Sequence, residues 1–264
     1  MIEIKNLNVK RGNKVILHNL NFTALAGNLT TIIGPNGSGK TTLIKALSGD
    51  LKYSGVIQLN GKDIASETAR HLALQRAILP QSTALSFPFL VNEVVKLGLS
   101  ADVERLQKQK YLPELALERV DLAGYGNRYY QELSGGEQAR VQLARVLCQI
   151  WSPSYNNNPC WLLLDEPVAS LDIRHQLVVM DIARDFANRG GGVVTILHDL
   201  NLASHYSDKI VLLHQGSISY EGTPREVLTT QNLRNIYQCN LSVGTIPADD
   251  VPFILPHSVF TPQG

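Results

Sequence analysis

One octapeptide constrains this chain more than any other feature: Gly34-Pro35-Asn36-Gly37-Ser38-Gly39-Lys40-Thr41, with Thr42 next. It fits the pattern G-x-x-x-x-G-K-[ST]. It follows the β-rich run Leu29–Ile33 and precedes a helical stretch reaching Leu47, the strand–loop–helix context in which this pattern cradles phosphates. The glycines let the backbone curl so that its N–H groups converge on phosphate oxygens. The helix behind them adds the positive end of its dipole. Lys40 is placed to reach the β- and γ-phosphates, where a unit charge pair about 4 Å apart is worth about 4 kcal/mol at an effective dielectric near 20. Thr41 offers a hydroxyl to Mg²⁺.

The rest of the chain alternates in character. Residues 15–17, 29–33 and 56–59 are β-rich, and Asn60-Gly61 after the last of them is a hairpin-turn pair. The first eighty residues therefore read as antiparallel strands plus one strand–loop–helix unit. Residues 91–99, 105–119 and 136–150 carry apolar positions at helical spacing. They predict a helical insertion over 83–159, with residues 151–159 as loop because of Ser152-Pro153-Ser154 and Asn156-Asn157-Asn158. Strands return at 160–164, 193–197 and 209–213, separated by helical stretches. Strand alternating with helix predicts an α/β fold with a parallel sheet covered on both faces.

Composition excludes several classes. A hydrophobic fraction of 44% over 264 residues suits one ordered unit with a large core, not a disordered chain. A net charge of +1 gives no bulk attraction for nucleic acid, and no nucleic-acid partner is expected. Cys148, Cys160 and Cys239 are too few and scattered for a disulfide framework or a zinc site, which predicts a reducing compartment. Residues 1–5 alternate like a strand and carry no signal-peptide core. No apolar run approaches the roughly 18 residues that span a bilayer. The chain ends at Gly264, and no sizeable regulatory domain is expected.

Two further motifs carry chemistry. The apolar run Leu162-Leu163-Leu164 delivers Asp165 and Glu166 to a strand end, where ligands bind in parallel sheets. Asp165 suits the shell of Mg²⁺, and Glu166 suits a base for an attacking water. An acidic pair before Pro167 also describes a solvated strand end, and the phosphate loop is what favours chemistry. Leu133-Ser134-Gly135-Gly136-Glu137-Gln138 opens a helical run. It fits a second anion site or a plain N-capped helix.

Residues 133–138 resemble the signature motif of ABC ATPases, and the order of all the motifs matches that family over nearly the whole chain. The resemblance implies an ABC ATPase nucleotide-binding domain over 1–264. A catalytic core with an antiparallel β subdomain would cover 1–82 and 160–264, and a helical signature subdomain 83–159. It implies ATP with Mg²⁺ as ligand, and a head-to-tail homodimer. There Ser134, Gly135 and Gly136 of one subunit would close over the ATP held by Gly34–Thr42 of the other. Gln81, in Leu79-Pro80-Gln81, would sense Mg²⁺ and the attacking water while touching a transmembrane partner. Asp172, in Ser170-Leu171-Asp172, would lie at the dimer interface. His198 would act beside Glu166 and Lys40 in hydrolysis.

Three positions depart from the family pattern. Glu137 replaces the usual glutamine, and a carboxylate there suits the helix N-terminus. Val168-Ala169 stands where hydroxyl or amide pairs are common. Arg11 stands where an aromatic residue usually stacks on adenine. Its guanidinium can stack on the base, aided by Val15, or simply be a solvated turn residue.

Within the family, the absence of fused membrane segments, of a second ATPase unit and of a coiled-coil insertion disfavours exporters and soluble members acting on ribosomes or DNA. Residues 77–81, 85–95 and 198–203 resemble ATPase subunits that import iron chelates, haem and vitamin B12. Ser86-Phe87-Pro88-Phe89, the extended connection 149–160 and Arg11 suit the haemin branch. That resemblance implies two permease subunits, an indirect link to a periplasmic haem-binding protein, and a peripheral place on the cytoplasmic face of the inner membrane. Ferric-siderophore or B12 import is the alternative cargo assignment, and a soluble non-transport ATPase the remote one.

Overall fold

The computed structural model describes residues 1–82, 85, 87–99, 109–248 and 251–256. Ser86 and residues 105–108 of the expected 105–119 helix lie outside the described residues.

Among the described residues two large sheets make up most of the β structure, beside one two-stranded hairpin. An antiparallel sheet of order β2-β1-β4-β5 is built from β1 (Ile2–Arg11), β2 (Lys14–Ala24), β4 (Ser54–Leu59) and β5 (Lys62–Asp63). The β4–β5 turn is the expected Asn60-Gly61 pair, both at positive φ, 52° and 82°. That is the backbone twist a two-residue hairpin requires. The six-stranded sheet has order β12-β11-β3-β10-β9-β6. It comprises β3 (Leu29–Ile33), β6 (Arg76–Leu79), β9 (Trp161–Asp165), β10 (Gly192–Ile196), β11 (Lys209–His214) and β12 (Ser217–Gly222). All neighbours are parallel except β11 and β12.

Every residue of β3, β9 and β10 is buried, because both sheet faces are covered. Alternate side chains enter two different cores. Leu162, Leu164, Val193 and Leu212 pack with the helices α3 (Val91–Lys96), α4 (Leu112–Arg119) and α5 (Gly135–Gln149). Leu163, Val194, Val211 and Leu213 pack against α1 (Lys40–Leu47) and the antiparallel sheet. The period of two along each strand thus welds helices and β layer to opposite faces of one sheet.

Two local expectations are corrected. The first eighty residues are not only strands and the phosphate-loop helix: α2 (Ala69–Gln75) is capped by Thr68, whose side chain accepts the His71 N–H at 3.2 Å. Residues 151–159 are not plain loop. They contain the short hairpin β7 (Ser154–Tyr155) and β8 (Asn158–Pro159), turning through Asn156 and Asn157 at φ 48° and 62°. Asparagine tolerates that left-handed conformation better than most residues.

Among the described residues, the remaining α-helices are α6 (Ile173–Asn188), α7 (Leu200–Tyr206), α8 (Pro224–Val227) and α9 (Thr230–Tyr237). Among the described residues, no helix is long and apolar enough to cross a membrane.

Candidate nucleotide site

The strand order places four chain segments together. Gly34 follows β3, Gln81 follows β6, Glu166 follows β9 and His198 follows β10, all at the carboxyl edge of the parallel sheet, where open α/β sheets bind ligands.

The phosphate loop shows why its glycines are needed. Gly34 has φ 147°, and a Cβ there would lie 2.1 Å from the Leu213 carbonyl oxygen. Gly39 is the N-cap of α1 at φ 106°, and its Cβ would sit 2.7 Å from Leu17 Cδ2. No side chain caps α1, an arrangement that suits a helix N-terminus to an anion. Lys40 is only 6% exposed. Its Nζ donates to the Gly34 carbonyl at 2.8 Å and the Pro35 carbonyl at 3.0 Å. Burial pushes its pKa down, opposed by Glu166 and Asp165.

The acidic pair divides its work by burial. Asp165 is 3% exposed and accepts the Thr41 hydroxyl at 3.3 Å. Burial raises its pKa, and the Thr41 hydrogen bond acts against that. Glu166 follows in the left-handed conformation, φ 53°, where the strand breaks. Its Oε2 accepts from Gln81 Nε2 at 2.7 Å, and its Oε1 lies 2.6 Å from His198 Nε2. Facing a carboxylate, that ring nitrogen carries the proton. Three residues from three neighbouring strand ends, far apart in sequence, therefore form one hydrogen-bonded unit.

The signature segment begins α5. Ser134 Oγ accepts the Glu137 N–H at 3.3 Å, while Glu137 Oε2 accepts Ser134 N–H at 2.8 Å and Ser134 Oγ–H at 2.7 Å. This reciprocal capping box explains the acidic residue at 137, whose pKa the Ser134 hydrogen bonds lower. A Cβ at Gly136 would come within 3.3 Å of the Ser170 carbonyl oxygen. The signature turn thus lies beside the loop that carries Glu166. The cleft between them is lined by Gln81, Tyr130, Gly135, Asp165, Glu166 and Ser170.

Two expected site residues stand apart from this unit. Asp172 caps α6, accepting the His175 N–H at 2.9 Å. Arg11 is exposed at the β1–β2 turn, in register with Lys14.

Two residues give support that the motifs do not reveal, Arg76 outside them and Gln138 at the end of the signature segment. Arg76 is buried and donates to the Leu47 carbonyl and, at 2.7 Å, to the Ser48 carbonyl, satisfying orphan oxygens at the end of α1. Gln138 Nε2 donates to the Tyr130 and Leu133 carbonyls at 3.2 and 3.1 Å, fixing the lead-in to the signature turn. The partners of Arg76 are distant in sequence, and those of Gln138 lie in irregular backbone, so neither contact is signalled by a local pattern.

The family described as ABC transporter matches residues 17–169. A Bartonella henselae protein named hemin import ATP-binding protein HmuV is 59% identical over 260 residues, covering 98% of each chain. A Mesorhizobium japonicum protein of the same name is 53% identical over 260 residues, covering 98% of this chain and 99% of its own. A dimeric bacterial ABC transporter cassette superposes with TM-score 0.74 at 25% identity, over 85% of this chain and 99% of that one. The chain thus belongs to the ABC transporter family as an ATP-hydrolysing subunit.

Proposed function

We propose that this chain couples ATP-driven closure of a homodimer to haem import through two permease subunits at the cytoplasmic face of the inner membrane. The observation that carries the catalytic part is the Gln81–Glu166–His198 unit beside the phosphate loop. The cargo is supported by the identity to proteins named for hemin import. A periplasmic haem-binding protein would act indirectly, through the permease.

Each residue then has a role. Gly34 to Thr42 and Lys40 hold the phosphates. Glu166 takes a proton from the water that attacks the γ-phosphorus, the bond to the β-γ bridging oxygen breaks, and ADP and phosphate leave. His198 and Gln81 orient Glu166, and the partner's Ser134–Gly136 segment and Asp172 loop complete the site. The residues fit a Mg²⁺ ion. Asp165 is a buried carboxylate whose pKa burial raises, and its described hydrogen bond is to the Thr41 hydroxyl. Such a pair, with Gln81, would hold a hard cation with oxygen ligands. When bound, the ion neutralises charge on the β- and γ-phosphates.

ATP raises the population of the closed dimer because it binds that state more tightly. We assign residues 83–159 to the helical subdomain that closure would move, and 1–82 with 160–264 to the catalytic core. Phe87, 71% exposed and edge-on to Phe89, belongs to the stretch 81–95 that we assign to permease docking.

The test is growth on haem as iron source by cells lacking their own copy, complemented with wild type or Glu166→Gln. Rescue by wild type alone supports the proposal. Rescue of siderophore or B12 uptake without rescue on haem replaces the cargo. Rescue of neither transport returns the soluble reading.

Arg11 provides a separate prediction. If its guanidinium stacks on adenine, Arg11→Ala weakens ATP binding about three- to tenfold, the scale of a partly desolvated cation–π contact. Titration with a fluorescent ATP analogue measures this, and unchanged affinity makes Arg11 a turn residue only.

A further inference from the structure

The loop that starts at Glu166 ends at Asp172, the N-cap of α6. Within the loop, Ala169 N–H donates to the Glu166 carbonyl at 3.3 Å and Leu171 N–H to the Val168 carbonyl at 3.2 Å. Gln176 Nε2 then donates to the Leu171 carbonyl at 3.0 Å. The loop is therefore short, internally bonded and tied to α6. Movement at Asp172 reaches Glu166 through few soft dihedrals.

Asp172 is gripped by His175. The imidazole Nδ1 lies 2.8 and 2.9 Å from the two Asp172 carboxylate oxygens. The opposite ring nitrogen, Nε2, lies 3.5 Å from Asp121 Oδ2. Asp121 follows α4 at φ 60°. Its carbonyl and that of Val120 accept from the buried Arg140 at 2.8 and 2.9 Å. Arg140 belongs to α5, the helix that opens at the signature turn. One imidazole thus stands between a carboxylate on the catalytic loop and a carboxylate anchored to the signature helix. The side chain of His175 is 18% exposed, whereas Arg174, which also pairs with Asp121 at 2.8 Å, is 73% exposed.

We propose that His175 is a positioning residue for ATP hydrolysis, bridging Asp172 to Asp121 so that the Glu166 loop and the signature helix hold one relative placement. This rests on Glu166 being the base that activates water. A histidine suits the task because a rigid ring carries two well-separated nitrogens which, when both are protonated, donate one to each carboxylate. It spans two carboxylates with few rotatable bonds. The exposed Arg174 pair contributes little, being screened by solvent.

The experiment is steady-state ATPase of the full chain as His175→Ala, Asp121→Asn, the double variant, Arg174→Ala and Glu166→Gln. Thermal unfolding of each variant confirms that it is folded. The two single bridge variants are expected to lose about tenfold in kcat, with KM for ATP within about twofold, because misplacing a catalytic group costs rate while the phosphate loop is intact. The double variant should be no slower than the slower single, since both break one link. Arg174→Ala should stay within about twofold of wild type. Multiplicative losses of about a hundredfold in the double variant, or unchanged kcat in His175→Ala, overturn the bridge. So does a loss in Arg174→Ala equal to that in Asp121→Asn. If Glu166→Gln itself turns over normally, the catalytic reading beneath the proposal falls, and that result is distinct from a failure of the bridge alone.

Discussion

Glu166→Gln is expected to bind ATP and to stop hydrolysing it, with kcat falling about 10²- to 10⁴-fold, the usual contribution of a positioned general base. The substitution keeps the side chain's size. It replaces one acceptor oxygen with an amide nitrogen where both neighbours now make contact, Gln81 at 2.7 Å and His198 at 2.6 Å. Gln81 can turn its own amide and His198 can change tautomer, so the unit retains hydrogen bonds while losing its base. Lys40, Thr41 and Asp165 are untouched, and nucleotide affinity should survive. A dimer that closes on ATP and cannot hydrolyse it should then accumulate. Size-exclusion chromatography with ATP, beside phosphate-release kinetics, checks both parts. Normal turnover would remove Glu166 from the mechanism.

Lys40→Ala should act earlier, on binding. Lys40 is nearly enclosed, and its ammonium already satisfies the Gly34 and Pro35 carbonyls. Truncation removes the charge offered to phosphate and leaves those two carbonyls without their present donor. A hydrogen bond to a charged group is worth about 1.5–3 kcal/mol, which corresponds to an ATP affinity lower by about 10- to 100-fold. Equilibrium titration with a fluorescent ATP analogue measures it. Unchanged affinity together with unchanged ATPase would refute the phosphate-loop assignment. The two variants separate cleanly, since one loses chemistry with binding intact and the other loses binding first.

Much of this architecture is legible in the sequence because its signals are local. The phosphate loop is contiguous, its glycines sit at positions whose backbone needs them, and the strand before it is β-rich and buried on both faces. Leu162-Leu163-Leu164-Asp165-Glu166 reads as a buried strand ending in acid for the same reason. The helix at 69–75 escapes such a reading. Its signal is weak: seven residues, with Leu72 and Gln75 its buried positions, which is too short for a periodicity to emerge. The hairpin at 154–159 escapes because two-residue strands carry no pattern at all.

The departures from the family pattern illustrate the same boundary. Sequence alone suggests that Glu137 favours a helix N-terminus, and the capping box with Ser134 realises that. Arg11 is exposed at its turn, where neither composition nor spacing says what it meets.

The chain's own order of residues determined the phosphate loop, the acidic strand end, the signature helix and the alternation of strand and helix, because each is written within about ten consecutive residues. Tertiary structure alone decided which strand ends become neighbours. The order β3-β10-β9-β6 brings Gln81, Glu166 and His198 into one hydrogen-bonded unit, and the packing of the helical segment against α6 brings Asp121 to His175. Those contacts join residues separated by 85, 32 and 54 positions. They are set by sheet pairing and by burial of both sheet faces, which no local stretch of sequence encodes.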